Sequence, residues 1–242
     1  MIVSVHFADI GVRSTRAVLG ACPQPGAVPG LRYAETALTG AIAAGLPGLR
    51  PGRAALLAAW EDDAALDRFL AEDRAARRLA HGWQVRLRPI RVLGEWGPMP
   101  VELATGAPSA TGPDANGPDE PDGPVAVLTL GRLRLRRAVP FLRANSRASG
   151  RAAADPALLA SVALARPPRF VATFSLWRSV ADMSRYAYGP ARPGHKEAIE
   201  GHRAKPFHHE AAFVRCRPYG ARGLLDGREP LAEAAAAWAG TS

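Results

Sequence analysis

Residues 53–60, RAALLAAW, and residues 170–177, FVATFSLW, decide how this chain folds. Each is an apolar run of strand length that ends in a tryptophan, Trp60 or Trp177, and a run that short reads as a strand. Behind each tryptophan comes a helical pattern, carrying Leu66 and Phe69 in the first copy and Met183 and Tyr186 in the second. An aromatic therefore stands nine residues past each tryptophan. Other features recur in the same order. Val3-Ser4-Val5-His6-Phe7 opens the first half and Val125-Ala126-Val127-Leu128-Thr129 the second. Arg16-Ala17-Val18 is echoed by Arg137-Ala138-Val139, and Arg88-Pro89 with Gly94 returns as Arg217-Pro218 with Gly223. Such ordered matches indicate an internal duplication.

Each copy reads strand, helix, strand, strand, helix, strand. The first strands are residues 3–7 and 125–130, and the first helices run on from Arg16 and from Arg137. The runs before the tryptophans are the third strands. The second helices cover residues 63–78 and 180–188, and the last strands residues 83–93 and 210–217. The second strands are the least marked; residues 158–164 supply one. This order is the ferredoxin-like split βαβ unit. The expected fold class is α+β, with two tandem ferredoxin-like repeats whose sheets pair into an α+β barrel and bury both apolar faces. Alanine-rich residues 229–238 are expected to form a short capping helix.

Between the copies lies ELATGAPSATGPDANGPDEPDG, residues 102–123, with five acids, no base and almost nothing to bury. Such a composition predicts a flexible acidic linker. The expected organisation is a first repeat over residues 1–101, the linker over 102–123, and a second repeat over 124–242 that carries the site.

The 242 residues hold 31 Lys+Arg against 22 Asp+Glu, a net charge of +9, with only two lysines, Lys196 and Lys205. At 48% hydrophobic and 22% charged the chain is no disordered polymer. With the linker's five acids set aside, the repeats carry 17 acids against 31 bases, or +14. That charge is dispersed arginine with no basic block, suited to carboxylates, an anionic substrate or an acidic redox partner. The aromatic-plus-basic strand pattern of ferredoxin-like RNA binders is missing, so no nucleic-acid partner is expected. Met1-Ile2-Val3-Ser4-Val5 reads as a strand rather than a leader. No apolar run approaches the roughly 18 residues of a membrane span, so no integral membrane segment is expected. Cys22 and Cys216 form no C-x-x-C pair and no zinc or disulfide framework. A cytoplasmic setting is the expectation.

Four of the six histidines fall within residues 195–209, in a segment reading HKEAIEGHRAKPFHH. Residues 194–203 read as a short helix, with His195, Ile199 and His202 on one face. Two histidines about 10 Å apart along that axis cannot share one small metal ion, which argues against zinc. One histidine above an apolar platform is what a haem iron needs. Phe170, Phe174, Trp177, Met183, Tyr186, Tyr188, Phe207 and Phe213 provide such a platform, and nearby arginines suit the propionates. A surface or core role for each of these residues stays open at this point. His208 and His209, adjacent at a strand start, are expected on opposite faces.

Residues 175–220 resemble the spheroidene monooxygenase family. The resemblance rests on Ser175-Leu176-Trp177, on Met183 with Tyr186-Ala187-Tyr188, and on His195 with Ala198-Ile199. It continues through Phe207-His208 before Glu210 and through Phe213 with Arg215; in the first half, Arg88-Pro89 followed by Gly94-Glu95-Trp96 agrees. The resemblance implies a haem-containing oxygenase of dimeric α+β-barrel type. It makes His195 the axial ligand of a haem b iron, with Trp177, Met183, Tyr186, Ile199 and Phe174 as cofactor-binding walls. A fainter similarity to aldoxime dehydratases implies a distal acid–base histidine before Glu210, with His209 and His208 as the catalytic candidates. The chain departs from the spheroidene monooxygenase pattern at Thr129-Leu130-Gly131, where the strand arginine is missing, and at Gly223-Leu224-Leu225. The first expectation is a haem-dependent monooxygenase of a small or medium apolar metabolite in secondary metabolism, served by an external electron donor. Dehydratase-like or nitrogen chemistry, or a non-catalytic ligand-binding barrel, are the alternatives. Either a monomer or a homodimer is compatible with the duplication.

Overall fold

The structure, a computed structural model, describes residues 1–41, 48–97, 100, 123–137, 154–188 and 208–239. The first repeat contributes β1 (Ile2–Asp9), α1 (Gly11–Gly20), β2 (Leu31–Ala41), β3 (Gly48–Trp60), α2 (Asp63–Glu72), α3 (Arg74–Leu79) and β4 (Trp83–Glu95). The second contributes β5 (Val125–Leu133), β6 (Leu158–Arg166), β7 (Phe170–Trp177), α4 (Val180–Tyr188) and β8 (His208–Arg222), followed by α5 (Pro230–Ala239). The eight strands close into a barrel in the order β1-β3-β2-β6-β7-β5-β8-β4. Each repeat thus arranges its own strands as 4-1-3-2, the ferredoxin-like order, and one chain completes the α+β barrel.

The duplication is visible in the register. Arg88 and Arg217, equivalent in the two copies, are direct partners on antiparallel β4 and β8, flanked by Leu87↔Pro218 and Pro89↔Cys216. A local pseudo-two-fold axis therefore passes between them. The same correspondence sets Trp60 against Phe69 at 4.9 Å between ring centroids and Trp177 against Tyr186 at 4.8 Å. Each tryptophan indole donates to a serine, Trp60 to Ser4 and Trp177 to Ser175.

The strands turn one apolar row each into a shared interior, including Val5, Phe7, Leu57, Trp83, Leu87, Leu128, Leu130, Phe174, Leu176 and Val214. Phe7, Trp83 and Phe174 form an aromatic knot with centroids 5.5–6.1 Å apart. Leu225, in the turn before α5, joins that core, and the turn is held by the ion pair of Arg53 with Asp226 at 2.7 Å. Trp96 folds back into the core beyond β4, where it hydrogen-bonds Tyr33. Among the described residues one cavity inside the barrel, of about 10 Å³, is lined by residues such as Val3, Tyr33, Leu57 and Leu130. That is room for about one water.

Several expectations are adjusted. The first helix ends at Gly20 after starting at Gly11, five residues ahead of Arg16. The helix expected over residues 63–78 is two, because Asp73 leaves helical geometry and caps α3 by accepting from Ala75 N–H. Strands β4 and β8 are longer than predicted, and β2 had no counterpart in the sequence reading. The expected helices over 137–147 and 194–203 and the linker fall largely or wholly outside the described residues. Among the described residues no helix is long and apolar enough to cross a membrane.

Helices α1, α2 and α3 seal the outer face of the first repeat. Ile2, Ala54, Leu56, Ala58, Trp60, Leu66, Phe69 and Leu79 form a second core there, each at most 5% exposed. His6 sits on this face with its Nε2 3.0 Å from Ser4 Oγ, which also accepts from Trp60. Burial, helped by the charge of Arg86, lowers the His6 pKa from 6.5 to about 4. The unfolded chain binds this proton near pH 6.5 and the folded one only near 4. The stability is therefore intact above pH 6.5 and is lost as pH falls towards 4, by about 3 kcal/mol in full. His6→Gln should flatten this part of the pH dependence in urea unfolding between pH 7 and pH 4.5. An undiminished slope in the variant would assign the acid sensitivity to other groups.

Candidate functional site

The outer face of the second repeat is built differently. Alternation along β4, β8, β5 and β7 sets three cross-strand rows on that side. The first is Arg91–Arg215–Val127–Ser175, the second Leu93–Phe213–Thr129–Thr173 and the third Glu95–Ala211–Gly131–Val171. Their inward neighbours Val92, Val214, Leu128 and Phe174 belong to the barrel core. Phe213 is 50% exposed and Leu93 41%, whereas Thr129, Thr173, Ser175 and Val171 are half-buried. The equivalent positions on β1 and β3 are all buried. Leu93 and Phe213 form an exposed apolar patch in the middle of the sheet, which makes this face the candidate site.

The two ends of this face are polar. At one end a β-bulge between Pro89 and Arg91 places two consecutive residues outward. Ile90 packs with Val127, Trp177, Val180, Met183 and Tyr186, and Arg91 stands opposite Arg215. Arg215 is 8% exposed. One terminal nitrogen of Arg91 is buried and makes no hydrogen bond. At the other end a register shift in β8 brings His208, not His209, opposite Leu133. The imidazole of His208 then lies over Gly131, where an added Cβ would come within 2.6 Å of the ring. His209 is exposed. The shift replaces the strict alternation expected for this histidine pair, because the extra residue of a bulge breaks the period of two.

Glu210 turns the other way. It pairs with Arg132 at 3.2 Å at the mouth of the barrel, where the Arg132 guanidinium also lies 5.0 Å over the Trp96 ring. Trp96 donates to the Tyr33 hydroxyl at 3.2 Å, and burial holds that phenol far above its usual pKa. Glu35 and Arg166 form a further ion pair at 3.0 Å. All of these acids and bases are matched, so this mouth reads as a structural plug.

Of the predicted site residues, Trp177, Met183 and Tyr186 are brought together, in one cluster beneath α4. Phe174 is not with them: it lies in the barrel core against Phe7 and Trp83. The single platform drawn from the sequence is thus divided by the sheet, with Phe170 and Phe174 inside and Trp177, Met183, Tyr186 and Phe213 outside. His195 and Ile199 lie outside the described residues. Sequence reading passed over Arg91 and named Thr129 and Gly131 only where the chain departs from the family pattern. A signal was present in the third strands: RAALLAAW is apolar throughout its last seven residues, while FVATFSLW interleaves Thr173 and Ser175, as a strand with one wetter face does. Among the described residues no cluster of His, Cys, Asp and Glu is suited to a metal ion on its own.

The geometry can be compared with known proteins. Over 225 residues the chain is 34% identical to a spheroidene monooxygenase of Rubrivivax gelatinosus, covering 88% of this chain and 78% of that protein. It is 28% identical over 149 residues to the spheroidene monooxygenase of Rhodobacter capsulatus, covering 61% of this chain and 57% of that one. No family model matches. A monooxygenase-like protein of Listeria innocua is 12% identical and overlaps 88% of this chain and 93% of its own at a TM-score of 0.29.

Gly131 and His208 form a matched pair. Gly131→Ala should cost about 1–3 kcal/mol, the usual range for overpacking. In a His208→Ala background most of that cost should vanish. Equal costs in both backgrounds, read from denaturant midpoints, would show that the ring does not occupy this place.

Proposed function

The chain belongs to the spheroidene monooxygenase family, and we propose on that premise that it is a haem-dependent oxygenase of an apolar metabolite, with its site on the outer face of the second repeat. The observation that carries this reading is the contrast between two duplicated faces, one sealed by α1–α3 and the other presenting Phe213 and Leu93 to solvent. The cavity among the described interior residues, about 10 Å³, does not take a ligand of that size.

The residues on this face fit haem b by their chemistry. Phe213, Leu93 and the methyl groups of Thr129 and Thr173 give an apolar floor, Trp177, Met183 and Tyr186 an apolar wall, and Arg91 a buried donor that lacks an acceptor. When bound, haem would supply activation of O2, with electrons from an external donor. His195 would hold the iron; it belongs to the segment joining α4 to β8, two elements that border this face. The floor would orient an apolar substrate and exclude water from it. His208, at the polar end, would hold or pass a proton, a role imidazole suits near neutral pH. His209, exposed beside it, is the second group able to do so. Glu210 points into the barrel mouth and is committed to Arg132. A lyase-type reaction relying on a histidine and its neighbouring carboxylate therefore has less support here than oxygenation.

The purified full chain, expressed with a haem precursor supplied, should show a Soret band, and His195→Ala should remove or greatly weaken it. A colourless wild-type protein under these conditions would sink the haem assignment. A full Soret band in the His195→Ala protein would transfer the iron to another ligand.

A further inference from the structure

Val12, 63% exposed, and Leu224, 59% exposed, are the two most exposed large apolar side chains among the described residues. Both stand at the mouth of the barrel where β1 and β8 end and β3 and β4 begin. Close backbone contacts tie the loops of this mouth together. Ile10 N–H donates to the Gly52 carbonyl at 2.9 Å, and a Cβ added at Gly52 would touch Gly11. One added at Gly82 would meet the Phe7 carbonyl, and one added at Gly223 the Gly82 carbonyl. Val12 follows Gly11 and Leu224 follows Gly223, so two apolar tips rise from one rim. The Leu224 tip is held, because Leu225 is part of the core and Asp226 pairs with Arg53 at 2.7 Å.

The rim around these tips is cationic. Arg13, Arg50 and Arg222 are exposed on its loops, and Arg77 and Arg78 lie in the last turn of α3, just before the Gly82 loop. Among the described residues none of these five arginines forms an ion pair. Of the acids at the rim, Asp226 is committed to Arg53 and Asp9 is exposed. Helix α1 also starts here, with no side-chain cap and no acid in its first turn, and so adds the positive end of its dipole. We propose that this mouth is a docking surface for an anionic lipid bilayer, with the arginines on the headgroup phosphates and Val12 and Leu224 entering the apolar layer beneath. A bilayer offers anions and, just below them, hydrocarbon, which is the pairing this rim presents. An acidic protein would answer the arginines alone, and a second copy of the rim would set like charges together. The inference rests on the apolar-metabolite reading above: such a substrate collects in bilayers, and docking there brings the enzyme to it.

The full chain is sedimented with vesicles of phosphatidylcholine alone and of phosphatidylcholine mixed with phosphatidylglycerol, and its visible spectrum is recorded on the same preparation. The wild type should bind the mixed vesicles at least about tenfold more tightly than the neutral ones, and raised salt should weaken that binding. Arg13→Gln and Arg222→Gln should each weaken it by about fivefold, the worth of one arginine near an anionic surface. Val12→Ser combined with Leu224→Ser should weaken it by about tenfold or more. Leu135→Ser, at an equally exposed leucine beyond β5 at the opposite mouth, should leave it unchanged. All these positions are exposed, so the substitutions spare the core. A wild type that binds neither vesicle, or that binds heparin but no vesicle, would overturn the docking surface. So would binding to mixed vesicles that the Arg13, Arg222 and double serine variants leave intact. A colourless protein that still docks as described would overturn the haem reading and leave the docking surface standing.

Discussion

Two twisted sheets, each with one face too apolar to leave in water, are obliged to close on each other, and the rest of this molecule follows from that closure. The seam that achieves it is the long antiparallel pairing of β4 with β8, from Gln84↔Arg222 to Glu95↔Ala211. The opposite seam, β2 with β6, is pinned by three register pairs from Leu38↔Ala165 to Gly40↔Ala163. The inner rows of the described strands are spent on each other as core. The two copies differ on the outside of the sheets.

They differ in what covers them. In the first repeat, three helices, a buried serine, a neutral histidine and a tryptophan make the outer side as dry as the interior. In the second, among the described residues, α4 packs at the end near Trp177, and hydroxyls replace alkyl groups along β7. The two copies of the duplicated unit thus differ on their outer sides, one buried and the other part exposed among the described residues. The bulges at Ile90 and near His208 sharpen this division by re-aiming one arginine and one histidine onto the open side.

Much of the fold could be read from the residues alone. Apolar runs ending in Trp60 and Trp177 located the third strands, and the aromatics matched nine residues on, Phe69 and Tyr186, pack against those tryptophans. Gly94 and Gly223 were matched as equivalents, and both adopt positive φ, +90° and +84°, where a side chain would meet backbone oxygen. The site was less legible. Which side of a strand faces inward depends on its neighbours, so Phe174 and Trp177 looked like parts of one pocket although the sheet separates them. Bulges shift that parity without any compositional trace, which hid Arg91 and left open which of the two histidines lies over Gly131. The pairing of Arg91 with Arg215 exists only once residues 124 positions apart are brought into register, and no local pattern encodes it.

Strand β4 ends at one mouth of the barrel and β5 begins at the other, and the copies meet along two seams of described strands, β4 with β8 and β2 with β6. Those two seams tie the copies together by backbone pairing as well as through the chain. Divided between β4 and β5, the barrel would be two half-barrels, each with an apolar sheet face and two edge strands that the other half matches. The single polypeptide serves chiefly to raise the effective concentration of one half around the other, and to keep either half from pairing with a second copy of itself.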